Sequence, residues 1–407
     1  MSVLARRVIE WQRVHGRHDL PWQGTRDAYR IWLSEIMLQQ TQVAAVIPYY
    51  QRFLDALPDV HALARADLDQ VLALWSGLGY YSRARNLHAC ARRIVDDHAG
   101  VFPDDAERLA QLPGIGRSTA AAIAAFAFGR REAILDGNVK RVFCRYFGVE
   151  GFPGTPAIER RLWTLAVEAL PKDDIEPYTQ GLMDIGATLC TRGRPACARC
   201  PLAADCVALR TERVAALPSP RPRRVLPVRD TRMLVLLRGR DVLLHKRPPS
   251  GIWGGLWTLP EAPVAQPLPS VPATGWIALT PFEHRFTHFA LRVQPALAIC
   301  ADDAPQGACD AVAGARPPEG TAERWLALSD VDAAPLPRPV KTLLQRVRAL
   351  RARDAAEGTG APATAGPAGR AAPSASGGPA PGSAGTRTAG SPPSRPTRSR
   401  KARPPSG

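Results

Sequence analysis

Residues 112–120 read LPGIGRSTA, and residues 134–141 read ILDGNVKR. The first stretch places two glycines between segments with helical patterns, so the backbone is free to turn sharply from one helix into the next. Its N–H groups and the N-terminus of the following helix form a seat suited to a phosphate group. A plain helical corner is the alternative, but the arginine after the second glycine favours anion binding. The candidate binding residues are Gly114, Gly116, Arg117, Ser118, Asn138 and Lys140.

The net charge of the chain indicates which kind of molecule it binds. The 407 residues carry a formal charge of +16, of which eight basic and two acidic residues from Arg353 onward contribute +6. The remaining chain is still strongly basic, which favours nucleic acid as partner. We recognise no signal peptide and no apolar run long enough to cross a bilayer. The many Ala, Arg and Pro residues suggest a bacterial source, so we expect a cytoplasmic, nucleoid-associated monomer that does not bind membranes.

Composition divides the chain into four parts. Residues 1–215 have helical patterns, and residues 28–38 are apolar on nearly every face, which predicts a buried helix. Residues 216–230 alternate Pro and Arg and predict a stiff linker. Residues 231–350 begin with a predicted β-hairpin and end with an amphipathic helix. Residues 351–407 are rich in Ala, Gly, Pro and Ser and predict a disordered basic tail.

Four cysteines lie within seventeen residues in the spacing C-x6-C-x2-C-x5-C. Four soft thiolates in one loop-rich stretch suit a metal centre, either tetrahedral zinc or a [4Fe–4S] cluster, and the spacing alone does not choose between them. In a chain without a signal peptide, metal binding is favoured over disulfides. The candidate ligands are Cys190, Cys197, Cys200 and Cys206.

The hairpin, the helix after it and the aspartate of the second stretch together resemble the helix-hairpin-helix DNA glycosylase superfamily. The resemblance covers residues 1–215 and includes the cysteine run, which matches the cluster loop of that superfamily. It implies an all-α catalytic domain that holds one [4Fe–4S] cluster on the four cysteines. It also implies that Asp136 is catalytic.

Glu35 indicates the branch of the superfamily. Its neighbours Ile31, Trp32 and Leu38 solvate a carboxylate poorly, and desolvation favours the protonated form that a general acid needs. The string SEIMLQQT at 34–41 resembles the adenine-specific, MutY-like branch, in which the matching glutamate protonates adenine. In the related endonuclease III branch a lysine occupies the position of Ser118. A serine cannot form a Schiff base, so we expect a monofunctional enzyme.

Residues 77–86 read GLGYYSRARN and place two tyrosines after glycines, where an aromatic side chain can stack into a duplex. The alternative is that both tyrosines are half-buried residues that only pack against the protein. In the MutY-like branch the first of the two tyrosines is a wedge beside the damaged base, which implies this role for Tyr80. Gln40 matches a second intercalating position.

Residues 231–350 resemble the MutT-like, Nudix-fold domain of the same branch, an α+β unit for lesion recognition. The carboxylate-rich metal helix of Nudix hydrolases is absent from the sequence, so we expect no nucleotide hydrolysis. The branch probes the oxidised guanine with a Phe-Ser-His loop, and this chain has Phe286, Thr287 and His288 there. The threonine keeps the hydroxyl but adds a methyl group.

These resemblances imply base-excision repair of double-stranded DNA that contains A:8-oxoguanine or A:G mispairs. Glu35 would protonate the adenine, and Asp136 would stabilise the sugar cation or trap it covalently. Two rivals are a pyrimidine glycosylase/lyase of the endonuclease III type and a non-catalytic iron–sulfur DNA-binding protein. Ser118 and Glu35 oppose the first, and the joint presence of Glu35 and Asp136 opposes the second.

Overall fold

The computed structural model describes residues 1–222, 225–270, 275–300 and 322–357, with side chains as far as residue 353. Met1–Ala355 form one compact unit by their backbone contacts. A second unit, Ala356–Gly407, falls almost wholly outside the described residues, and so does the predicted disordered tail from residue 358 onward.

Up to residue 210 the described chain forms helices joined by loops and contains no strand. None of the helices in the described parts of the chain combines the length and apolar character that crossing a membrane requires. The helices are α1 (Val3–His15), α2 (Ala28–Leu38), α3 (Val43–Ala56), α4 (Val60–Arg65), α5 (Leu68–Leu74), α6 (Ser82–His98), α7 (Ala106–Leu109), α8 (Arg117–Phe128), α9 (Gly137–Tyr146), α10 (Pro156–Ala169), α11 (Ile175–Asp184) and α12 (Val207–Arg210), with a π-helix at Ile185–Leu189.

Helix α2 forms over the 28–38 segment, as predicted. The Asp27 side chain caps its start by accepting hydrogen bonds from the N–H groups of Tyr29 and Arg30. Trp32, Leu33 and the other apolar side chains are buried on several faces of the helix. The cap and the burial together hold α2 as a rigid support for Glu35.

Helix α8 is the centre of the helical part. Its alanines are buried on opposite faces, so that Ala120 and Ala124 belong to the apolar cluster of α2, while Ala121 and Ala125 belong to that of α1, α9 and α11. Small side chains let neighbouring helices approach closely. The hairpin before α8 is therefore held by a helix that is packed on both sides.

The second part is a mixed β-sheet with one long helix. Strand β1 (Val228–Arg238) pairs in parallel with β7 (Ala290–Ile299) and antiparallel with β2 (Asp241–Lys246). Leu237 of β1 lies opposite Val242 of β2, so the predicted hairpin is confirmed. The sheet order is β3-β2-β1-β7-β5, with β4 on β1, β6 on β7 and β8 on β2. The strands are β1 (Val228–Arg238), β2 (Asp241–Lys246), β3 (Trp257–Thr258), β4 (Glu261–Ala262), β5 (Ile277–Ala278), β6 (Phe282–Arg285), β7 (Ala290–Ile299) and β8 (Glu323–Ala327).

Helix α13 (Arg338–Glu357) closes this part. It extends seven residues beyond the predicted boundary at residue 350, because its arginines and alanines continue the helix after its buried apolar residues end. Val340, Leu344 and Val347 join Met233 of β1 in one buried cluster. At the other boundary, β1 begins at Val228, inside the predicted linker, so the last linker residues are sheet.

The helical part and the sheet part are docked within this unit. The Trp257 indole donates to Asp69 at 3.0 Å, and the Tyr81 hydroxyl donates to the Leu336 carbonyl at 3.2 Å. Arg85 donates to the carbonyl of Gly254 at 2.7 Å. A single apolar cluster runs through both parts, so the docking buries apolar surface as well as polar pairs.

Candidate functional site

Glu35 lies on α2 in the wall of a cavity of about 360 Å³. Burial, and after it the negative charge of Asp136, raise the pKa of its carboxyl group to about 8. At neutral pH the group therefore carries a proton that it can donate. The sequence expectation of a poorly solvated, protonated Glu35 agrees with this environment.

The cavity combines flat apolar walls with hydrogen-bonding groups, as ligand sites for small polar rings do. Trp22, Ile31 and Phe126 provide apolar surface, while Gln23 and Gln180 provide amides. The remaining lining residues are Gln12, Arg17, His18, Leu20, Gly24, Thr25, Ser34, Glu35, Leu38, Val43, Glu176, Pro177 and Met183.

Asp136 caps α9. Its carboxylate accepts a hydrogen bond from the Val139 N–H at 2.8 Å and from the Asn138 amide at 3.3 Å. Burial raises the pKa of Asp136, whereas these hydrogen bonds and the charge of Arg141 oppose the rise. Asp136 does not line the Glu35 cavity, but its charge reaches Glu35. The structure thus brings the two predicted acids together in unlike surroundings.

Asn138 is also tied inward rather than free. Its side-chain oxygen accepts from Arg141 at 2.8 Å, and Arg141 donates to the carbonyls of Gly186 and Cys190, each at 2.6 Å. These contacts link Asp136 to the start of the cysteine loop. Sequence reasoning missed Arg141, although its place one turn after Asp136 was a usable signal.

The hairpin has the open geometry that an anion seat needs. Gly114 has φ +79°, and a Cβ atom there would lie 2.7 Å from the Cβ of Asn86. Gly116 caps α8 without a side-chain hydrogen bond, and nothing lies within 4 Å of where its Cβ would be. The start of α8 therefore has no side-chain cap, and its first N–H groups have no intrahelical partner. The Arg117 guanidinium lies 3.9 Å from the centre of the Trp163 ring.

Ser118 and Lys140 both have internal partners. The Ser118 hydroxyl accepts from the Leu135 N–H at 3.0 Å and so supports the segment that leads to Asp136. The Lys140 amine forms an ion pair with Glu159 at 2.7 Å. Both side chains are therefore already bonded to other residues of the chain.

Gln40 and Tyr80 lie at exposed loop positions in the left-handed region, with φ of 58° and 48°. For residues other than glycine this backbone costs energy and commonly marks functional sites. The Tyr80 side chain is 50% exposed. Both residues are therefore exposed on strained loops, and their role as wedges stays a prediction.

A second cavity, of about 770 Å³, lies between the Tyr80 loop and the sheet part. Phe286, Thr287 and His288 line it, with the hydroxyl residue and the histidine exposed and Phe286 stacked on Phe289 at 4.5 Å. Trp253, with φ 54°, packs against Phe286 at 5.5 Å and was missed from sequence. Its only sequence signal was the surrounding run of glycines.

The four cysteines line one small cavity with Leu189, Leu209 and Val214. The buried Arg145 guanidinium donates to the Cys190 sulfur at 3.3 Å and to the Thr191 carbonyl at 2.8 Å. No described group of three or more His, Cys, Asp or Glu residues is arranged for a single metal ion. Four convergent thiols in an apolar cavity, with a cation beside one sulfur, fit a thiolate-held cluster.

Two family models match the chain. The model for the HhH-GPD superfamily of base excision DNA repair proteins matches residues 33–167, and a NUDIX domain model matches residues 232–346. The α+β assignment of the second part, made from sequence, is therefore confirmed.

Two curated relatives share the name adenine DNA glycosylase, and a solved structure of another DNA glycosylase is also similar. An adenine DNA glycosylase of Buchnera aphidicola is 36% identical over 301 residues, which cover 72% of this chain and 86% of that protein. The human adenine DNA glycosylase is 43% identical over 208 residues, 49% of this chain and 38% of that protein. Among solved structures, a thermostable thymine-DNA glycosylase is 28% identical and covers 51% of this chain and 96% of its own, with a TM-score of 0.48.

Proposed function

The chain belongs to the adenine DNA glycosylase family, and on that premise we propose that it removes adenine mispaired with 8-oxoguanine or guanine without cutting the strand. It is a base-excision repair enzyme that hydrolyses N-glycosyl bonds and binds DNA. The observation that carries the proposal is the protonated Glu35 in a cavity large enough for a purine.

The first step is extrusion of the adenine from the duplex, because its atoms are inaccessible in the stack. The base enters the 360 Å³ cavity between apolar walls and amides. Glu35 gives its proton to a ring nitrogen of the adenine, which becomes a neutral leaving group when the bond to C1′ breaks. A proton donor with a pKa near neutral pH suits this step.

Asp136 acts on the sugar. As the C1′–N bond breaks, positive charge develops on the sugar, and an ionised carboxylate stabilises it or bonds to C1′ before water replaces it. The N–H groups at the start of α9 hold this carboxylate in place. Water adds to C1′, and its proton restores the protonated Glu35, which leaves free adenine and an abasic site.

Strand cleavage by a Schiff base needs an amine at the sugar. The serine at 118 has none, and Lys140 is engaged with Glu159. Both observations support a monofunctional reaction.

The second cavity supports recognition of the partner base. We propose that Tyr80 enters the duplex beside the lesion while Phe286, Thr287 and His288 contact the oxidised guanine. Thr287→Val, which removes the hydroxyl but keeps the shape, should reduce the preference for 8-oxoguanine over guanine about five- to tenfold, and Thr287→Ser should keep it. Single-turnover rates on both duplexes measure this, and an unchanged preference in the valine variant would contradict the contact.

We propose that Cys190, Cys197, Cys200 and Cys206 hold one [4Fe–4S] cluster, which would cross-link the loop that carries three arginines. The surface of this loop is basic and favours contact with DNA phosphates, so the affinity of the protein for DNA should fall steeply as the salt concentration rises. Visible thiolate-to-iron absorption in the purified protein, lost in Cys200→Ser, tests the cluster. A colourless protein with one equivalent of zinc would overturn it.

The function is tested with a duplex that contains adenine opposite 8-oxoguanine. We expect nicks only on the adenine strand and only after alkali. Glu35→Gln and Asp136→Asn should each slow adenine release about 10²- to 10⁴-fold while DNA binding survives. Nicking without alkali would refute the monofunctional reaction, and unchanged release by either variant would refute its assigned role.

A further inference from the structure

The buried Arg83 joins the two loops that carry Gln40 and Tyr80. Its side chain lies on α6 and is only 8% exposed. One terminal nitrogen, Nη1, lies 3.0, 2.8 and 2.5 Å from the carbonyl oxygens of Ile36, Met37 and Gln39. These carbonyls are at the C-terminal end of α2, the helix that carries Glu35.

The other terminal nitrogen, Nη2, reaches both loops. It lies 3.1 Å from the Thr41 hydroxyl, next to Gln40, and 3.2 Å from the Gly79 carbonyl, next to Tyr80. The guanidinium carbon lies 5.6 Å from the centre of the Tyr80 ring. A single planar group thus contacts the neighbours of both strained residues.

The charge of Arg83 is balanced in an unusual way. Among the described residues no carboxylate forms an ion pair with it; its partners are backbone carbonyls and one hydroxyl. Helix C-terminal carbonyls are unpaired and carry negative partial charge, so they favour a cation. Burial lowers the pKa of Arg83 to about 10, which leaves it charged at neutral pH.

We propose that Arg83 is a positioning residue that holds Gln40 and Tyr80 in one fixed relation, so that both side chains enter the duplex together. The inference rests on the proposed function, in which these two residues are the wedges. Buried charge is costly unless its donors are satisfied, so the contacts of the two terminal nitrogens hold this geometry. The Nε atom is buried and has no hydrogen-bond partner among the described residues, so Nη1 and Nη2 alone form these bonds. Loops that are fixed before binding lose less entropy when DNA is bound.

The test is Arg83→Lys, which keeps the charge but cannot reach both loops with one planar group. We expect release of adenine from a fully paired A:8-oxoguanine duplex to slow about 10- to 100-fold. When mismatches flank the adenine, unstacking costs less, and the defect should shrink at least about tenfold. Arg93→Lys, an exposed arginine of α6 paired with Asp97, is the matched control and should match the wild type on both duplexes.

A double-mutant comparison separates positioning from mere stability. In a Tyr80→Ala background, Arg83→Lys should slow release by a clearly smaller factor than in the wild type, because one of the two groups that it positions is gone. If Arg83→Lys does not fold, Thr41→Val removes one contact and should show the same dependence on flanking mismatches, with a smaller effect. Equal slowing on both duplexes, or effects of the two substitutions that multiply, would overturn the proposal. An inactive wild type would instead overturn the proposed function, and this inference with it.

Discussion

Individual residues set the chemistry through their surroundings. The same carboxyl chemistry behaves differently at two positions, because Glu35 is poorly solvated and faces another acid, whereas Asp136 accepts two hydrogen bonds at the start of a helix. Burial raises the pKa of both groups, and at Asp136 the hydrogen bonds and the charge of Arg141 oppose that rise. The proposed proton donor and the proposed charge stabiliser are thus two acids close enough to influence each other.

Because the pKa of Glu35 is about 8, the rate of adenine release should fall as pH rises through that value. Below it the acid is protonated and the rate is limited by other groups. Single-turnover rates between pH 6 and about 10 measure the fall. A rate that stays constant through this range would show that Glu35 is not the acid.

The same group should affect stability. In the folded chain Glu35 holds its proton up to pH about 8, whereas an unfolded glutamate loses it near 4.5. Stabilisation from the protonated form is complete below the lower value and lost as pH rises through the upper one. Relative to Glu35→Gln, the wild type should lose at most about 1.4 kcal/mol per pH unit between these values. Urea unfolding at several pH values gives the difference, and a difference independent of pH would exclude the shift.

Single helices carry the geometry that is proposed for the active site and for DNA contact. Helix α9 starts with the Asp136 cap, and its arginines reach the cysteine loop, so one helix joins the active site to the four thiols. Helix α8 is buried on two faces and offers its uncapped N-terminus after the hairpin. Both helix starts present N–H groups, one to a carboxylate and one to a proposed phosphate.

Gly114→Ala should destabilise the protein by about 1–3 kcal/mol, because φ is +79° and the added Cβ would meet Asn86. Gly116→Ala is the matched control, since its backbone is ordinary and the space around it is open. Its free energy of unfolding should stay within about 0.5 kcal/mol of the wild type. Denaturant unfolding compares the two, and equal losses would contradict the steric argument.

At the scale of the whole molecule, docking of the two parts creates the second cavity. The loop that carries Tyr80 belongs to the helical part, and the 286–288 loop belongs to the sheet part. Tyr81, the next residue, is anchored to the Leu336 carbonyl. The geometry of the proposed lesion site therefore depends on contacts between the parts.

Trp257→Phe removes the hydrogen bond to Asp69 across this interface and should cost about 1 kcal/mol of docking. The linker before β1, residues 216–227, should then be cut faster by a protease under native conditions. Trp276→Phe is the control, since its indole bonds to the Pro269 carbonyl within the sheet part. Faster cutting in both variants would mean that the general stability of the protein, and not the docking of the two parts, controls how fast the linker is cut.

Local patterns were enough to predict much of the fold. The helix at 28–38 and the β-hairpin at the start of residues 231–350 both form, because burial and turn preferences act over a few residues. The helix past residue 350 was missed, since its polar residues carry no apolar period. Arg83 and Trp253 were missed as well, because their partners are far away in sequence.

The sequence by itself determined the helical and mixed-sheet parts, the four thiols and the two candidate acids, since these depend on residue type and spacing. Only the tertiary structure decided that Glu35 and Asp136 share an electrostatic environment and that Arg83 bridges two loops. Desolvation and charge–charge effects depend on distances between atoms from remote segments. Those distances exist only after the helices have packed.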